Sequence, residues 1–156
     1  MIVYRNASAE DAANIFEALH VIINELDIYN EGAKSAERLQ YTLQYIIGVI
    51  EVSQTSTVAY ENDVLVGFSL CDEDGGVVWI SWLVVLPQWQ RQGIGKEILK
   101  KTEDYARQHH FHKVWCDTRT INLPSMTMLQ SCNWARVAEL RNHWHNQDYY
   151  LWEHML

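Results

Sequence analysis

The chain has 156 residues, the size of one domain, and is long enough to bury roughly 70% of its unfolded surface without disulfide or metal staples. Hydrophobic residues make up 48%, which excludes a disordered chain. A net charge of −8, from 12 Lys+Arg against 20 Asp+Glu, argues against nucleic-acid or anionic-membrane partners and is compatible with a cationic one.

Residues 2–6 read as a short strand. Ser8 then caps a helix, with Glu10 and Asp11 in its acidic first turn. Ala12, Ile15, Phe16, Leu19, Ile22, Ile23 and Leu26 recur at helical spacing. Residues 27–34 break that pattern and contain Gly32, so we expect a loop. Ser35 is expected to cap a second helix carrying Leu39, Leu43, Ile46, Ile47 and Ile50 on one face. A meander follows, with strands at residues 55–60, 64–70 and 77–86 and turns at residues 61–63 and 72–76. The third of these strands is apolar on both faces, hence central, and Pro87 ends its pairing. The next helix places Ile94, Ile98, Leu99, Thr102 and Ala106 on one face. Residues 112–118 form a strand, residues 122–132 a short helix, and residues 134–141 and 148–156 two closing strands. The expected order is β-α-α-β-β-β-α-β-α-β-β, an α/β class with a mixed central sheet in one domain over residues 1–156.

Cys71, Cys116 and Cys132 are odd in number and lack framework spacing, which suits a reducing compartment. No apolar leader follows Met1 and no run of about 18 apolar residues occurs, so we expect a soluble cytoplasmic protein with no membrane partner. The cysteines read as small buried hydrophobes rather than nucleophiles. His109, His110 and His112 fall at a helix end, where positive charge suits the dipole, and no carboxylate or Cys is spaced to complete a metal site with them. His143 and His145 fall in the closing hairpin, on one face by alternation.

The chemistry-bearing stretch is Gln90-Arg91-Gln92-Gly93-Ile94-Gly95, between an apolar strand and an amphipathic helix. Glycines allow a sharp turn and close ligand approach, and the first helical turn offers unpaired N–H groups and the positive end of a dipole. A pyrophosphate fits such a place. A Walker A loop fails on spacing, since Glu97 follows Lys96 and no glycine stands five residues before Gly95. A dinucleotide fingerprint fails because Ile98 occupies the third glycine position. The remaining pattern, Gln/Arg-x-x-Gly-x-Gly/Ala, is met in full.

With Pro87 before it and Asn122 on the next β-to-α connection, this motif resembles that of the GNAT superfamily of N-acetyltransferases, and the order of elements matches over nearly the whole chain. The resemblance implies that the strand ending at Pro87 splays from its neighbour at residues 112–118 and that acetyl-CoA enters the gap as co-substrate, with no metal. Its pantetheine arm would pair with the backbone of Leu83, Val84 and Val85 like an added strand. Gln90, Arg91, Gln92, Gly93, Ile94, Gly95 and Lys96 would form the cradle, with the pyrophosphate on the N–H groups from Arg91 to Lys96. Asn122 would hydrogen-bond the pantetheine, with Ser125 one turn along.

Acetyl transfer to an amine requires loss of a proton, since an ordinary lysine-type amine (pKa about 10.4) is about 0.1% neutral near pH 7.4. A backbone N–H near Val85 is the natural donor to the thioester oxygen. The best candidate base is Asp117, five residues before Asn122; at the matching position the ribosomal-protein N-terminal acetyltransferases of this family use a glutamate through water. The family's acid, a tyrosine seven residues after the asparagine, is replaced by Leu129. Either a thiol of pKa about 8.5 leaves without one, or Tyr149 or Tyr150 on the last strand supplies the proton. The family's Gly-Phe after this helix is Asn133-Trp134 here.

In this family the acceptor is selected by the first inter-helix loop and the closing hairpin, here residues 26–34 and 141–148. Asp27, Tyr29 and Glu31 suggest a carboxylate-rich, aromatic rim for an ammonium group. The function expected is N-acetylation of a primary amine, either a small amine or a peptide N-terminus. The alternatives are a catalytically weak acetyl-CoA-binding sensor or partner module, and a structural domain that binds no CoA. An edge strand at residues 148–156 could pair two copies into a homodimer.

Overall fold

A computed structural model describes all 156 residues. In chain order the elements are β1 (Ile2–Asn6), α1 (Ala12–Glu25), α2 (Glu31–Gln40), α3 (Leu43–Val52), β2 (Thr57–Glu61), β3 (Val64–Asp74), β4 (Val77–Val85), α4 (Ile94–Gln108), β5 (Lys113–Arg119), α5 (Leu123–Ser131), β6 (Ala135–Leu140) and β7 (Tyr149–Met155). The seven strands form one open sheet in the order β1-β2-β3-β4-β5-β7-β6. Every neighbouring pair is antiparallel except β4 and β5, which run parallel.

Helices cover both faces. On one, the α1 stripe of Ala12, Ile15, Leu19, Ile22 and Ile23 packs with Ile46 and Ile50 of α3 over Phe68, Leu70, Trp82 and Val84. Each isoleucine, leucine, valine or phenylalanine among them, removed from water, stabilises the fold by about 1.5–3 kcal/mol. On the other face, Ile94, Ile98, Leu99 and Ala106 of α4 pack over the sheet, as the spacing predicts. The start of α1 is pinned to β1: the Asp11 carboxylate accepts two 2.7 Å bonds from Arg5, one from Tyr60 Oη and one from the Ser8 backbone N–H.

The expected second helix is two. α2 begins at Glu31, capped by Asn30 rather than Ser35, with Asn30 Oδ1 accepting from Ala33 N at 2.8 Å. The backbone leaves helical geometry at Tyr41, and Thr42 caps α3 by accepting from Tyr45 N at 3.2 Å. A threonine hydroxyl competes well for backbone N–H groups, and here it ends one helix by starting another. Leu39 and Leu43 are therefore exposed instead of lining the core, while Tyr41 is buried.

The central feature is the parting of β4 from β5. They pair only over Val77–Ile80 and Lys113–Cys116. At that point Ser81 is an extra residue in β4: Leu70 of β3 faces Trp82, and Cys71 faces Ile80. A bulge bends its strand and raises its twist. β5 stays on β7 throughout, from Lys113 opposite Met155 to Arg119 opposite Tyr149. The bent strand leaves the straight one, and a wedge opens between them.

The closing strand is not an edge. β7 lies between β5 and β6, so the strand expected to offer itself to a second copy is already paired on both sides. The free edges are β1 and β6, and charged Arg136 and Glu139 blunt the latter. No helix is long and apolar enough to cross a membrane.

Gly67 lets β3 approach the bent half of β4, since an added Cβ would stand 2.8 Å from Val84 O and 2.8 Å from Ile98 Cδ1. Gly67→Ala is expected to destabilise the protein by about 1–3 kcal/mol through this overpacking, read as a lower urea midpoint with an unchanged m-value. An unchanged midpoint would show that β3 and β4 have slack here.

Candidate active site

The wedge opens into a cavity of about 790 Å³ that passes through the sheet. Its wall on one face includes Ile22, Tyr29 and Trp82, and on the other Gly95, Lys96, Ser125 and Leu129. Of the expected cofactor residues, Leu83, Val84, Val85, Gln90, Arg91, Gly93, Ile94, Gly95, Lys96, Asn122 and Ser125 all line this cavity; Gln92 does not, and its side chain donates to Gln88 O at 3.4 Å.

Backbone direction in β4 follows from its pairing. Leu86 N–H bonds to Val66 O, so by antiparallel alternation Leu83 and Val85 turn their N–H and C=O groups away from β3, into the wedge. Val85 O there accepts the Gln90 side-chain amide at 3.0 Å. The glycine turn has two left-handed residues, Arg91 (φ 62°) and Gly93 (φ 83°). Left-handed backbone is uncommon and unfavourable for arginine. Gly93 caps α4, whose first N–H groups, from Ile94 to Lys96, have no acceptor within the helix. Gly95 is where α4 meets α5, since an added Cβ would lie 3.0 Å from Met128 Sδ. The buried Trp89 Nε1 beside this turn has no hydrogen-bond partner, a cavity-wall donor that sequence reading did not single out. Asn122 caps α5, its Oδ1 accepting from Ser125 N at 3.3 Å, so its amide donors are free to face the wedge.

The other end of the cavity is built on β5. Asp117 and Arg119 alternate onto the face opposite α4, whereas Cys116 and Thr118 point to the α4 side, where Trp152 Nε1 donates to Thr118 Oγ1. Parallel register sets Trp79 beside Trp115; the rings stack at 5.5 Å, and Trp79 Nε1 donates to Asp117 Oδ1 at 3.2 Å. Burial pushes the Asp117 carboxyl above its ordinary range, opposed by the Trp79 bond and the Arg119 charge. Arg119, 6% exposed, lies flat on Tyr29 with Cζ 3.4 Å from the ring centroid. Its Nε donates to Gln147 Oε1 at 2.8 Å, and Gln147 Nε2 donates to Ile28 O at 2.9 Å. Asn30 Nδ2 donates to His145 O at 2.8 Å, so the α1–α2 loop and the closing loop clasp each other over this end.

A carboxylate that sequence reading missed joins this cluster. Burial and the nearby Asp117 charge raise the Glu37 carboxyl, while Arg119 lowers it. The break at Tyr41 makes α2 a separate helix, whose Glu37 stays outside the cavity lining but within the field of Arg119 and Asp117; the sequence signal was Thr42 as a cap. Of the rim residues expected, only Tyr29 lines the cavity; Asp27 and Glu31 are exposed, and Glu31 sits 3.6 Å from Lys34. The segment at His143 and His145 is a helical turn with His145 left-handed (φ 53°), not an extended strand.

Residues 19–134 match the model of the acetyltransferase (GNAT) family. The chain belongs to the GNAT acetyltransferase family. The PaiA N-acetyltransferase from Thermoplasma acidophilum, solved with coenzyme A, superposes with a TM-score of 0.83 at 16% identity, over 100% of this chain and 99% of that one. The yncA protein from Salmonella typhimurium, solved with its cofactor acetyl-CoA, gives 0.80 at 20% identity, over 100% and 94%. The ribosomal-protein-S18-alanine N-acetyltransferase from Escherichia coli gives 0.72 at 15%, over 99% and 94%. At these identities the likeness is one of fold. No functionally curated protein matches the chain in sequence.

Two departures from the GNAT pattern are explained locally. Asn133 is left-handed (φ 61°) just past α5, the role glycine plays elsewhere, and Trp134 N bonds back to Leu129 O at 3.1 Å. Trp134 is buried, its indole donating to Glu103 at 2.8 Å. Leu129, at the tyrosine position, is a buried cavity-wall residue with no proton to give. Tyr149 and Tyr150 point to opposite faces: Tyr149 lies near Arg119 at 5.0 Å, and Tyr150 lies under Arg136 at 4.4 Å. Neither lines the cavity. Burial pushes the Tyr149 hydroxyl up to about 12 and the Cys71 thiol up to about 12, so both stay protonated at neutral pH.

A carboxyl whose pKa rises on folding adds stability that is present below its unfolded value and lost as pH climbs through the folded one. Ionised Asp117 is thus a net cost at neutral pH. Asp117→Asn, which keeps an acceptor for Trp79, is expected to raise the urea midpoint at neutral pH, with the gain fading as pH falls toward about 3.9. A midpoint unchanged or lower at neutral pH contradicts this.

Proposed function

We propose that this GNAT acetyltransferase moves an acetyl group from acetyl-CoA to a primary amine, a small amine or a peptide N-terminus, with Asp117 as base. The observation that carries this reading is the cavity through the sheet, which joins an anion cradle on one face to a buried carboxylate on the other.

The residues present fit the co-substrate. Leu83 and Val85 offer strand backbone to a pantetheine arm, the Asn122 amide offers donors to its carbonyls, and the N–H groups from Arg91 to Lys96, flanked by the Arg91 and Lys96 charges, suit a pyrophosphate. Gly95 keeps the floor of the cradle clear. Acetyl-CoA, when bound, supplies a thioester at which the amine nitrogen forms the new N–C bond while the C–S bond breaks and the sulfur keeps the pair.

The chain does the rest by position and charge. The wedge-facing N–H groups of Leu83 and Val85 are fixed donors that would stabilise charge developing on a thioester oxygen. Asp117 and Glu37 make this end anionic and attract an ammonium group. Asp117, its basicity raised by burial, accepts the ammonium proton through water and returns it to solvent. A thiolate with a pKa of about 8.5 departs without a donated proton, so Tyr149 and Tyr150 are not required as acids. Cys71 and Cys116 stay protonated and buried and take no part, and free thiols of this kind support a cytoplasmic location.

Leu129 in place of a hydroxyl favours a second reading, a binding module that holds acetyl-CoA without efficient transfer. Thiol release separates the two. Acetyl-CoA at 100 times its Kd is expected to stabilise the protein by about 2.7 kcal/mol, seen as a rise in Tm, and Gly95→Val to abolish that rise. No rise for the unaltered protein sinks the cradle. With an amine panel, Asp117→Asn is expected to lower thiol release about 100-fold while keeping the acetyl-CoA shift, and to remove the acid limb of the kcat/KM profile. Release equal to that of the parent protein rules Asp117 out as base.

A further inference from the structure

We propose that the acceptor is an amine that also carries a carboxylate a few bonds away, an amino-acid type of substrate, and that Arg119 receives that carboxylate. The inference rests on the N-acetyltransferase reading above and narrows its acceptor.

Arg119 is a buried cation without an anion. It is 6% exposed and lines the cavity, yet no carboxylate lies within salt-bridge distance of it. Of its three nitrogens only Nε is matched, to the neutral amide of Gln147, and Nη2 is buried with no partner at all. Leaving a buried guanidinium unpaired costs several kcal/mol, and proteins normally avoid it. Asp117 and Glu37 lie in its electrostatic field, but both stand off from it, and Asp117 is turned to Trp79.

The guanidinium is also held ready. Tyr29 lies against its face at 3.4 Å, Tyr149 stands at 5.0 Å, and Gln147 fixes the Nε edge. A fork fixed in this way loses little freedom when it pairs, and its geometry matches a carboxylate with two parallel bonds. Screening from bulk water strengthens such a pair.

Spacing sets the class of ligand. Asp117 and Arg119 are two residues apart on β5, about 6.6 Å between Cα atoms, and both reach the cavity. An amine at Asp117 and a carboxylate at Arg119 are then separated by a short carbon skeleton. With such a zwitterion both charged groups that line the cavity at this end acquire a counter-charge: the ammonium meets Asp117, and the carboxylate meets Arg119. A simple amine leaves Arg119 unpaired, and a polyamine sets a second cation beside it.

The test compares matched acceptors in the acetyl-CoA thiol-release assay: α-, β- and γ-amino acids, their amides, and the corresponding decarboxylated amines. The expected result is at least one amino acid with kcat/KM tenfold or more above its amide and its decarboxylated amine, mostly through KM. Arg119→Gln is expected to collapse that ratio toward one, and Arg119→Lys to restore part of it, with the acetyl-CoA thermal shift retained in both. Should Arg119→Gln fail to fold, the comparison of acceptors on the unaltered protein decides alone. Amides or decarboxylated amines acetylated as well as the acids overturn the inference and leave the N-acetyltransferase reading standing. An Arg119→Gln variant that slows acids and amides equally assigns Arg119 to fastening the Tyr29 loop and overturns it too. If no amine of any kind releases thiol while acetyl-CoA binds, the broader reading falls and takes this one with it.

Discussion

One extra residue in β4 organises this molecule. Ser81 bulges opposite the Leu70–Cys71 step, and the strand bends where its pairing with β5 stops. Everything functional depends on that bend. It frees the backbone of Leu83 and Val85, opens a passage through the sheet, and sets the first turn of α4 at one mouth and Asp117 at the other. The bulge also shifts the side-chain phase, so Trp82 and Val84 feed the α1–α3 core while Leu83 and Val85 face α4. A strand that kept its register would have zipped to β5 and left no site.

The two mouths carry opposite electrostatics. At the α4 end, unpaired N–H groups, Arg91 and Lys96 make a positive cradle within a chain of net charge −8. At the β5 end, Asp117 and Glu37 are buried enough for desolvation to lift both carboxyls. The sheet separates the two fields, and the wedge is where they meet. Stability is given up for this arrangement: ionised Asp117, the unmatched Arg119 and left-handed Arg91 are each unfavourable alone, and all three lie at the cavity.

Much of the fold was legible in the chain. The α1 and α4 stripes, the hairpin turns and the doubly apolar β4 follow from period and turn chemistry, which are local properties. The failures were local contests decided by a neighbour. Thr42 won its backbone N–H groups and split a helix that apolar spacing alone would run through. β7 lies inside the sheet because β6 returns along its outer side, an order no strand pattern encodes. Within the site, the cradle was legible because a glycine motif is contiguous. Glu37 was not, because it comes from a helix whose existence depended on Thr42 and whose partners are more than seventy residues away in the chain.

The sequence by itself determined the chemistry on offer: a glycine turn for an anion, an asparagine cap, a carboxylate five residues before it, and an apolar residue where the family has a tyrosine. Those are matters of residue type and short spacing. Only the tertiary structure decided which of these groups meet. It left Tyr149, Tyr150, Gln92, Asp27 and Glu31 outside the cavity lining, and stacked Arg119 on Tyr29 at the end of the cavity that holds Asp117. The reason is physical. Burial and register set a side chain's charge state and direction, and both are fixed by strands and helices far apart in the chain.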